Sequence, residues 1–292
     1  MSEDARFGFY NTILMRRLEA FFARGADAIS AADVEGLASC CRVDAQAAYA
    51  ALIAAQLGLD TEDDPEAKAL FRAYFPDMLH QLDAARFRAD PYYANISFPS
   101  AASGSWTLGH GRYAPFEAFV CDDLRDMGDG RIIPQLGYFT GQFLFPEVRE
   151  NGREWMSVTP NEIATMRAPI AAAHGDVLTY GLGLGYFVYM ASQKSDVRRV
   201  VAVERDARAI ELFSQYILPQ FPQKAKVSLV LSDAFAFARE RAPEESFDFT
   251  FTDIWHDPSD GVALYLEMKK LEAASRCRSH MYWIEDTLRH YI

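Results

Sequence analysis

The feature that most constrains the fold of this chain is a glycine-rich turn between a short apolar strand and a helix. The turn reads YGLGLGY over residues 180–186 and follows a strand-like segment at 176–180. Glycine is favoured where the backbone turns sharply and where a ligand must approach it without an intervening Cβ atom. A glycine pattern alone is a weak signal, but its position between a strand and a helix makes it a candidate nucleotide-binding turn.

From residue 159 onwards, short apolar strands alternate with helices. Thr159, Pro160 and Glu162 have the pattern of a helix start, with an N-cap, a first-turn proline and an acid three residues after the cap. Five strands are predicted beyond this helix, at residues 176–180, 198–204, 226–233, 247–253 and 280–285. Strands separated by helices form a parallel sheet covered by helices, so this region predicts a doubly wound, Rossmann-like α/β fold.

The details of the turn narrow the choice of ligand. No Lys-Ser or Lys-Thr pair follows the glycines, which argues against a phosphate-binding loop of the GxxxxGK[ST] type. The dinucleotide pattern GxGxxG requires a third glycine at the position of Tyr186. The pattern found here, GxGxG, suits a nucleoside ligand that has no pyrophosphate.

Acidic residues follow three of the predicted strands. Glu204 ends the second strand, 19 residues after Gly185, where a carboxylate can accept hydrogen bonds from both hydroxyls of a ribose. Asp233 ends the third strand and is placed to meet an adenine amino group, and Asp253 ends the fourth strand, where a methionine-like tail would lie. Because ligands bind at the carboxyl ends of such strands, the sequence predicts one nucleoside site.

These motifs resemble those of a known enzyme fold. Residues 176–285 resemble the class I S-adenosylmethionine-dependent methyltransferase fold, and the longer segment 135–285 is similar to its spermidine synthase branch. That branch has the glycine motif GGGDGG, and a DSSDP-like loop where this chain has DIWHDP at 253–258. The resemblance implies S-adenosylmethionine, or its decarboxylated form, as the cofactor. The residues predicted to bind it are Gly181, Gly183, Gly185, Tyr186, Glu204, Asp233, Asp253 and Glu162.

Differences between this chain and the spermidine synthase branch indicate which group is transferred. Leu184 stands where the branch has an aspartate that contacts the aminopropyl amine of the decarboxylated cofactor. Pro160 and Asn161 stand where the branch has a tyrosine and a glutamine before the helix glutamate. The resemblance therefore favours methyl transfer over aminopropyl transfer. Only five strands are predicted, whereas the full methyltransferase sheet has seven.

The acidic loop after the fourth predicted strand has three interpretations. Asp253 or Asp257 can act as a general base that takes a proton from an amine, and carboxylates also bind cationic substrates. Asp253, His256 and Asp257 or Asp260 carry side chains that ligate divalent metals. Asp260 can instead cap the helix that is predicted to start one residue later. We assign catalysis to Asp253 and Asp257 and predict no metal site.

The N-terminal third of the chain has helical periodicity, and we predict a helical domain at residues 1–90. Ser30 begins a capping-box-like sequence, Asp44 can cap the next helix, and a further helix is predicted at 67–84. Two short helices in series are also compatible with a DNA-binding helix-turn-helix within 30–60. That segment is not basic, so we prefer a packing role.

Residues 91–158 are rich in proline, glycine and aromatic residues and contain short alternating runs. Asn151-Gly152 between two such runs predicts a tight β-hairpin. We therefore predict a small β-rich subdomain at 91–158, followed by the S-adenosylmethionine-binding α/β domain at 159–292.

Charge and cysteine usage limit the partners. The chain has 29 Lys and Arg against 41 Asp and Glu, a net charge of −12, which argues against nucleic acid and anionic membranes as partners. Its four cysteines, Cys40, Cys41, Cys121 and Cys277, show no zinc-binding or disulfide spacing. The sequence shows neither a signal peptide nor an apolar stretch of ~18 residues, so we predict a soluble cytoplasmic protein.

Together these patterns predict an S-adenosylmethionine-dependent methyltransferase whose acceptor is a small molecule, including the case of a cationic amine. Two alternatives stay open: a spermidine synthase-like aminopropyltransferase, and a non-catalytic, nucleoside-binding regulatory protein that has kept the fold. The sequence leaves the oligomeric state open, with a homodimer among the options.

Overall fold

The structure, a computed structural model, describes residues 3–292, with side chains from Arg6 onwards. The chain forms two compact units. The first combines the segment that ends at Ala84 with Arg112–Leu144, and the second combines Ala85–Gly111 with Phe145–Ile292. The division at residues 90 and 158 that the sequence suggests stays a prediction.

Four helices and a small sheet make up the first unit. The helices are α1 (Glu3–Arg24), α2 (Ala31–Cys41), α3 (Ala45–Gln56) and α4 (Pro65–Met78). The strands are β1 (Leu79–Gln81), β4 (Phe119–Asp126) and β5 (Ile132–Tyr138), in the order β1-β5-β4. Apolar faces of the helices pack with β5 in one core that includes Leu14, Phe21, Tyr49, Ile53 and Leu136.

Local helix signals in this unit are confirmed, but one helix is shorter than predicted. Ser30 and Asp33 form a capping box at the start of α2, and Asp44 caps α3. The helix predicted at 67–84 ends at Met78, because Leu79–Gln81 pairs as a parallel strand with Leu136–Tyr138 of β5. Pairing with a distant segment here overrides a helical pattern in the local sequence.

The second unit contains a parallel sheet of five strands. They are β8 (Gly175–Tyr180), β9 (Val197–Glu204), β10 (Val227–Leu231), β11 (Phe249–Thr252) and β12 (His280–Tyr282). The strand order is β10-β9-β8-β11-β12, and every neighbouring pair is parallel. The chain therefore runs outward from β8 to β10, crosses back and continues on the other side of β8, as in a doubly wound, Rossmann-like sheet.

Helices connect these strands or precede them. They are α5 (Ala84–Arg88), α6 (Pro91–Asn95), α7 (Pro160–Thr165), α8 (Arg167–Ala172), α9 (Tyr186–Gln193), α10 (Ala207–Leu212), α11 (Ala234–Glu240), α12 (Pro258–Leu271) and α13 (Glu285–His290). The fifth strand, predicted at 280–285, stops at Tyr282. Ile284 adopts a left-handed conformation with φ of 46° and begins α13.

The predicted hairpin forms between β6 (Phe143–Glu150) and β7 (Arg153–Ser157). Asn151 and Gly152 both have positive φ, 52° and 79°, which a type I′ turn requires. These strands share a four-stranded sheet with β2 (Ala101–Ser103) and β3 (Trp106–Tyr113), in the order β2-β3-β6-β7. Because β4 and β5 pair with β1 instead, the strands of 91–158 are divided between two sheets, and a single β subdomain is not confirmed.

In the part of the chain that the structure describes, no helix combines the length and apolar character that crossing a membrane requires.

Candidate functional site

The three glycines of the turn after β8 all have positive φ, but only one leaves room for a ligand. The φ angles of Gly181, Gly183 and Gly185 are 93°, 54° and 79°. A Cβ atom at Gly181 would overlap the carbonyl oxygen of Asp253, and one at Gly185 would overlap the ring of Phe213. A Cβ atom at Gly183 would meet no atom within 4 Å. Gly181 and Gly185 thus permit packing within the protein, whereas Gly183 borders open space.

Glu204 connects the end of β9 to the glycine turn. Its carboxylate accepts hydrogen bonds from the backbone N–H of Leu182, at 3.3 Å, and from the backbone N–H of Asp206, at 2.9 Å. The side chain is partly buried. Each carboxylate oxygen has two lone pairs, so Glu204 keeps the capacity to accept hydrogen bonds from a ligand.

Asp253 follows β11 directly and is held by the sheet, since its backbone N–H donates to the carbonyl of Tyr180 at 2.8 Å. Its carboxyl group is partly accessible, yet burial and then the charge of Glu204 raise its pKa to about 7. A carboxyl group with this pKa exchanges its proton near neutral pH, which is the property that a general acid or base needs.

Glu162 supplies a third carboxyl group, besides those of Glu204 and Asp253. It lies in the first turn of α7, where its backbone N–H donates to the side chain of the N-cap Thr159 at 3.5 Å. Burial, followed by the charges of Asp253 and Glu154, raises the pKa of Glu162 well above its ordinary value. Asp253 therefore interacts electrostatically with Glu204 on one side and with Glu162 on the other.

Tyr186 and Leu184 are directed into the protein rather than left free at the turn. Tyr186 is buried, and its hydroxyl donates to a carboxylate oxygen of Asp90 at 3.0 Å. Leu184 is also buried, and its backbone carbonyl accepts a hydrogen bond from the hydroxyl of Tyr92. The packing of Tyr186 gives it a role in holding the turn, and the prediction that it contacts the cofactor stays a prediction.

The structure corrects the prediction for the helix that follows the loop after β11. The helix predicted to start at Gly261 begins at Pro258, and its N-cap is Asp257, not Asp260. The exposed Asp257 accepts from the N–H of Ser259 at 2.7 Å, and Asp260 completes the capping box by accepting from the N–H of Asp257 at 3.1 Å. Asp260 also accepts from His256. Pro258 at the first helical position explains the earlier start.

Asp233 is likewise a helix cap. The strand β10 ends at Leu231, and Asp233 caps α11 by accepting from the N–H of Ala236 at 2.9 Å. Its carboxylate is exposed. The structure shows no contact between Asp233 and the other predicted cofactor residues, and its contact with adenine stays a prediction.

Hydrogen bonds and electrostatic interactions thus bring together the glycine turn, Glu204, Asp253 and Glu162. Among residues 3–292, no group of three or more His, Cys, Asp or Glu side chains is arranged to hold a metal ion. The absence of a metal site stays a prediction.

Sequence analysis missed the contribution of α6. Asp90 and Tyr92, at the start of this helix, hold Tyr186 and Leu184, which lie more than 90 residues further along the chain. The Asp-Pro pair at 90–91 is a helix-start signal, and Asp90 does cap α6. Nothing in the local sequence indicates that the same residues reach the glycine turn.

Comparison with protein-family models and with curated proteins gives no match.

Solved structures with similarity to part of the chain include two methyltransferases and a spermidine synthase. The methyltransferase domain of bacterial CtHen1 is 15% identical over 29% of this chain and 45% of its own, with a TM-score of 0.25. Spermidine synthase from Thermotoga maritima is 17% identical over 41% and 44%, with a TM-score of 0.31. A putative O-methyltransferase from Klebsiella pneumoniae is 20% identical over 37% and 46%, with a TM-score of 0.28. The chain covers less than half the length of each of these proteins.

Proposed function

We propose that this chain is an S-adenosylmethionine-dependent transferase that moves a methyl group to a small acceptor carrying an amine. The observation that carries the proposal is the arrangement at the carboxyl ends of β8, β9 and β11. There a glycine turn with open space at Gly183 contacts the carboxylate of Glu204 through Leu182 and the backbone of Asp253 at Gly181. Ligands of open α/β sheets bind at this edge, where the strand order reverses.

The residues at this edge fit a nucleoside with a positively charged sulfur. Gly183 allows a ligand to approach the backbone closely, because its Cβ position borders open space. Glu204, already fixed by two backbone N–H groups, would accept hydrogen bonds from the ribose hydroxyls. Asp233 would accept from the adenine amino group with the capacity that its helix cap leaves free.

S-adenosylmethionine supplies a methyl group that is activated by the neighbouring sulfonium. The protein's part is to position the acceptor and to manage its proton, because an amine attacks only in its neutral form. Asp253, with a pKa of about 7, can accept that proton on a carboxylate oxygen. Glu204 would place a negative charge beside the cofactor and so stabilise its sulfonium.

Aminopropyl transfer is the second candidate, and one observation favours it. The carboxyl groups of Glu162, Asp253 and Glu204 would also attract the free ammonium group of decarboxylated S-adenosylmethionine. We prefer methyl transfer because Leu184 offers no charge to that ammonium. Its side chain is buried, and its carbonyl is bound by Tyr92.

Isothermal titration calorimetry with S-adenosylmethionine and with its decarboxylated form tests the proposal. We expect S-adenosylmethionine to bind more tightly, and a panel of small amines to be methylated with Asp253-dependent rates. Tighter binding of the decarboxylated form, with aminopropyl transfer, would select the second candidate. Binding of S-adenosylmethionine without turnover on any amine would support a non-catalytic nucleoside-binding protein, and absence of binding to either form would reject the site.

A further inference from the structure

A cavity lies within the unit that contains the parallel sheet, among α5, α7, α8 and α9. Its volume is about 350 Å³, which is within the range of about 300–1,000 Å³ that is typical of small-molecule sites. Apolar side chains form much of its wall, namely Phe87, Ile163, Ile170 and Met190. None of Gly183, Glu204 and Asp253 lines it.

Two arginines give this cavity a positive charge. Arg86 and Arg167 both line it and both are exposed, and neither side chain makes a hydrogen bond or an ion pair with another described residue. Asp90 is the one acidic residue among the lining residues. Its two carboxylate oxygens already accept from the N–H of Tyr92, at 2.9 Å, and from the hydroxyl of Tyr186, at 3.0 Å.

We propose that this cavity binds a small organic carboxylate whose apolar body is about the size of a phenyl ring. The guanidinium groups of Arg86 and Arg167 would hold the carboxylate, because their planar forks match its two oxygens. The apolar body would lie against Ile163, Ile170 and Met190. Asp90 lies in the same wall, but its carboxylate forms no hydrogen bond or ion pair with either arginine and is held instead by Tyr92 and Tyr186.

This site is independent of the proposed transferase reaction. It shares no lining residue with the carboxylate cluster at the sheet edge, and its charge is of the opposite sign. Its connection to the glycine turn is Tyr186, which begins α9 directly after Gly185 and also lines the cavity.

Three probes that share one body and differ in charge test the proposal on the full chain. They are phenylacetate, 2-phenylethanol and 2-phenylethylamine, titrated by calorimetry or by ligand-observed NMR in the absence of any cofactor. We expect phenylacetate to bind with a dissociation constant of about 1 mM, the alcohol to bind at least about tenfold more weakly, and the amine not to bind. Inorganic phosphate should bind more weakly than phenylacetate, because it leaves the apolar wall uncovered.

Charge-neutral variants locate the binding. Arg86→Gln and Arg167→Gln should each weaken phenylacetate binding about tenfold. Arg88→Gln is the matched control, since Arg88 is an exposed arginine of the same helix α5 that does not line the cavity, and it should bind as the unmodified chain does. Equal affinity for phenylacetate and the alcohol would overturn the proposal, and so would equal affinity for phenylacetate in all three variants. The proposal is also overturned if phenylacetate does not bind at a concentration about tenfold above the expected dissociation constant.

Discussion

Glu162 in the first turn of α7 and Asp253 directly after β11 are close enough that the charge of Asp253 adds to burial in raising the pKa of Glu162. The same two causes act on Asp253, where burial and the charge of Glu204 raise the pKa to about 7. Three carboxyl groups therefore share one edge of the sheet, and they do not all carry a charge at neutral pH. Such an arrangement costs stability and is typical of functional sites.

Asp253→Asn should stabilise the protein at pH 8 and change its stability little at pH 4. In the folded chain Asp253 holds its proton up to about pH 7, whereas its ordinary pKa is 3.8. As pH rises between these values, the unfolded state loses the proton first, so stability falls with pH and levels off above 7. With one pKa unit worth about 1.4 kcal/mol, and allowing for partial exposure, we expect a gain on the order of 2 kcal/mol at pH 8.

Urea unfolding of both proteins from pH 4 to pH 8 measures this effect. Asp257→Asn is the control, because Asp257 is exposed and asparagine also caps helices, so its stability should follow that of the unmodified chain at every pH. Parallel curves for the Asp253→Asn variant and the unmodified chain would show that Asp253 is ionised throughout this range.

Alanine at two glycines of the turn is expected to lower the stability of the protein by different amounts. Gly183→Ala should cost about 1–2 kcal/mol, for a left-handed alanine in open space, and should weaken S-adenosylmethionine binding at least about tenfold. Gly185→Ala should cost more, by about 1–3 kcal/mol, because its Cβ atom overlaps Phe213.

Urea unfolding and titration with S-adenosylmethionine measure the two properties separately. If Gly183→Ala binds as tightly as the unmodified chain, the ligand does not pass over this glycine, and the site must be placed elsewhere.

Much of the fold could be predicted because its signals are local. A helix cap depends on residues three positions apart, so Ser30, Asp44 and Thr159 are recognisable in the sequence and cap helices in the structure. The hairpin at Asn151-Gly152 depends on two residues that tolerate positive φ. The glycine turn and the acids at the strand ends follow from the alternation of strands and helices.

The features that could not be predicted from the sequence depend on contacts between residues that are far apart along the chain. Leu79–Gln81 becomes a strand through pairing with residues 136–138. Tyr186 is held by Asp90, 96 positions earlier, which accepts a hydrogen bond from its hydroxyl. The raised pKa of Asp253 depends on Glu204 and on burial, neither of which is visible in a linear motif.

Glu204→Gln should lower the affinity for S-adenosylmethionine about tenfold, because under the proposed function it removes the negative charge that would bind the ribose hydroxyls. It should also cost about 1 kcal/mol of stability, since the amide NH₂ is a donor only, so that the N–H of either Leu182 or Asp206 loses its acceptor. Glu240→Gln, at an exposed position at the end of α11, is the matched control and should change neither property. Unaltered affinity of the Glu204→Gln variant for S-adenosylmethionine would show that Glu204 does not bind the ribose.

Asp257→Ala decides between the two roles of this residue, a catalytic base or a helix cap. Asp257 caps α12 through Ser259 and is exposed, so its removal should cost about 1 kcal/mol and leave the rate of methyl transfer unchanged at a temperature where the chain stays folded. Asp257→Asn preserves the cap and should restore the lost stability. A rate that falls in both variants, while Asp257→Asn keeps full stability, would make Asp257 a catalytic residue and would leave Asp253 to bind the cofactor.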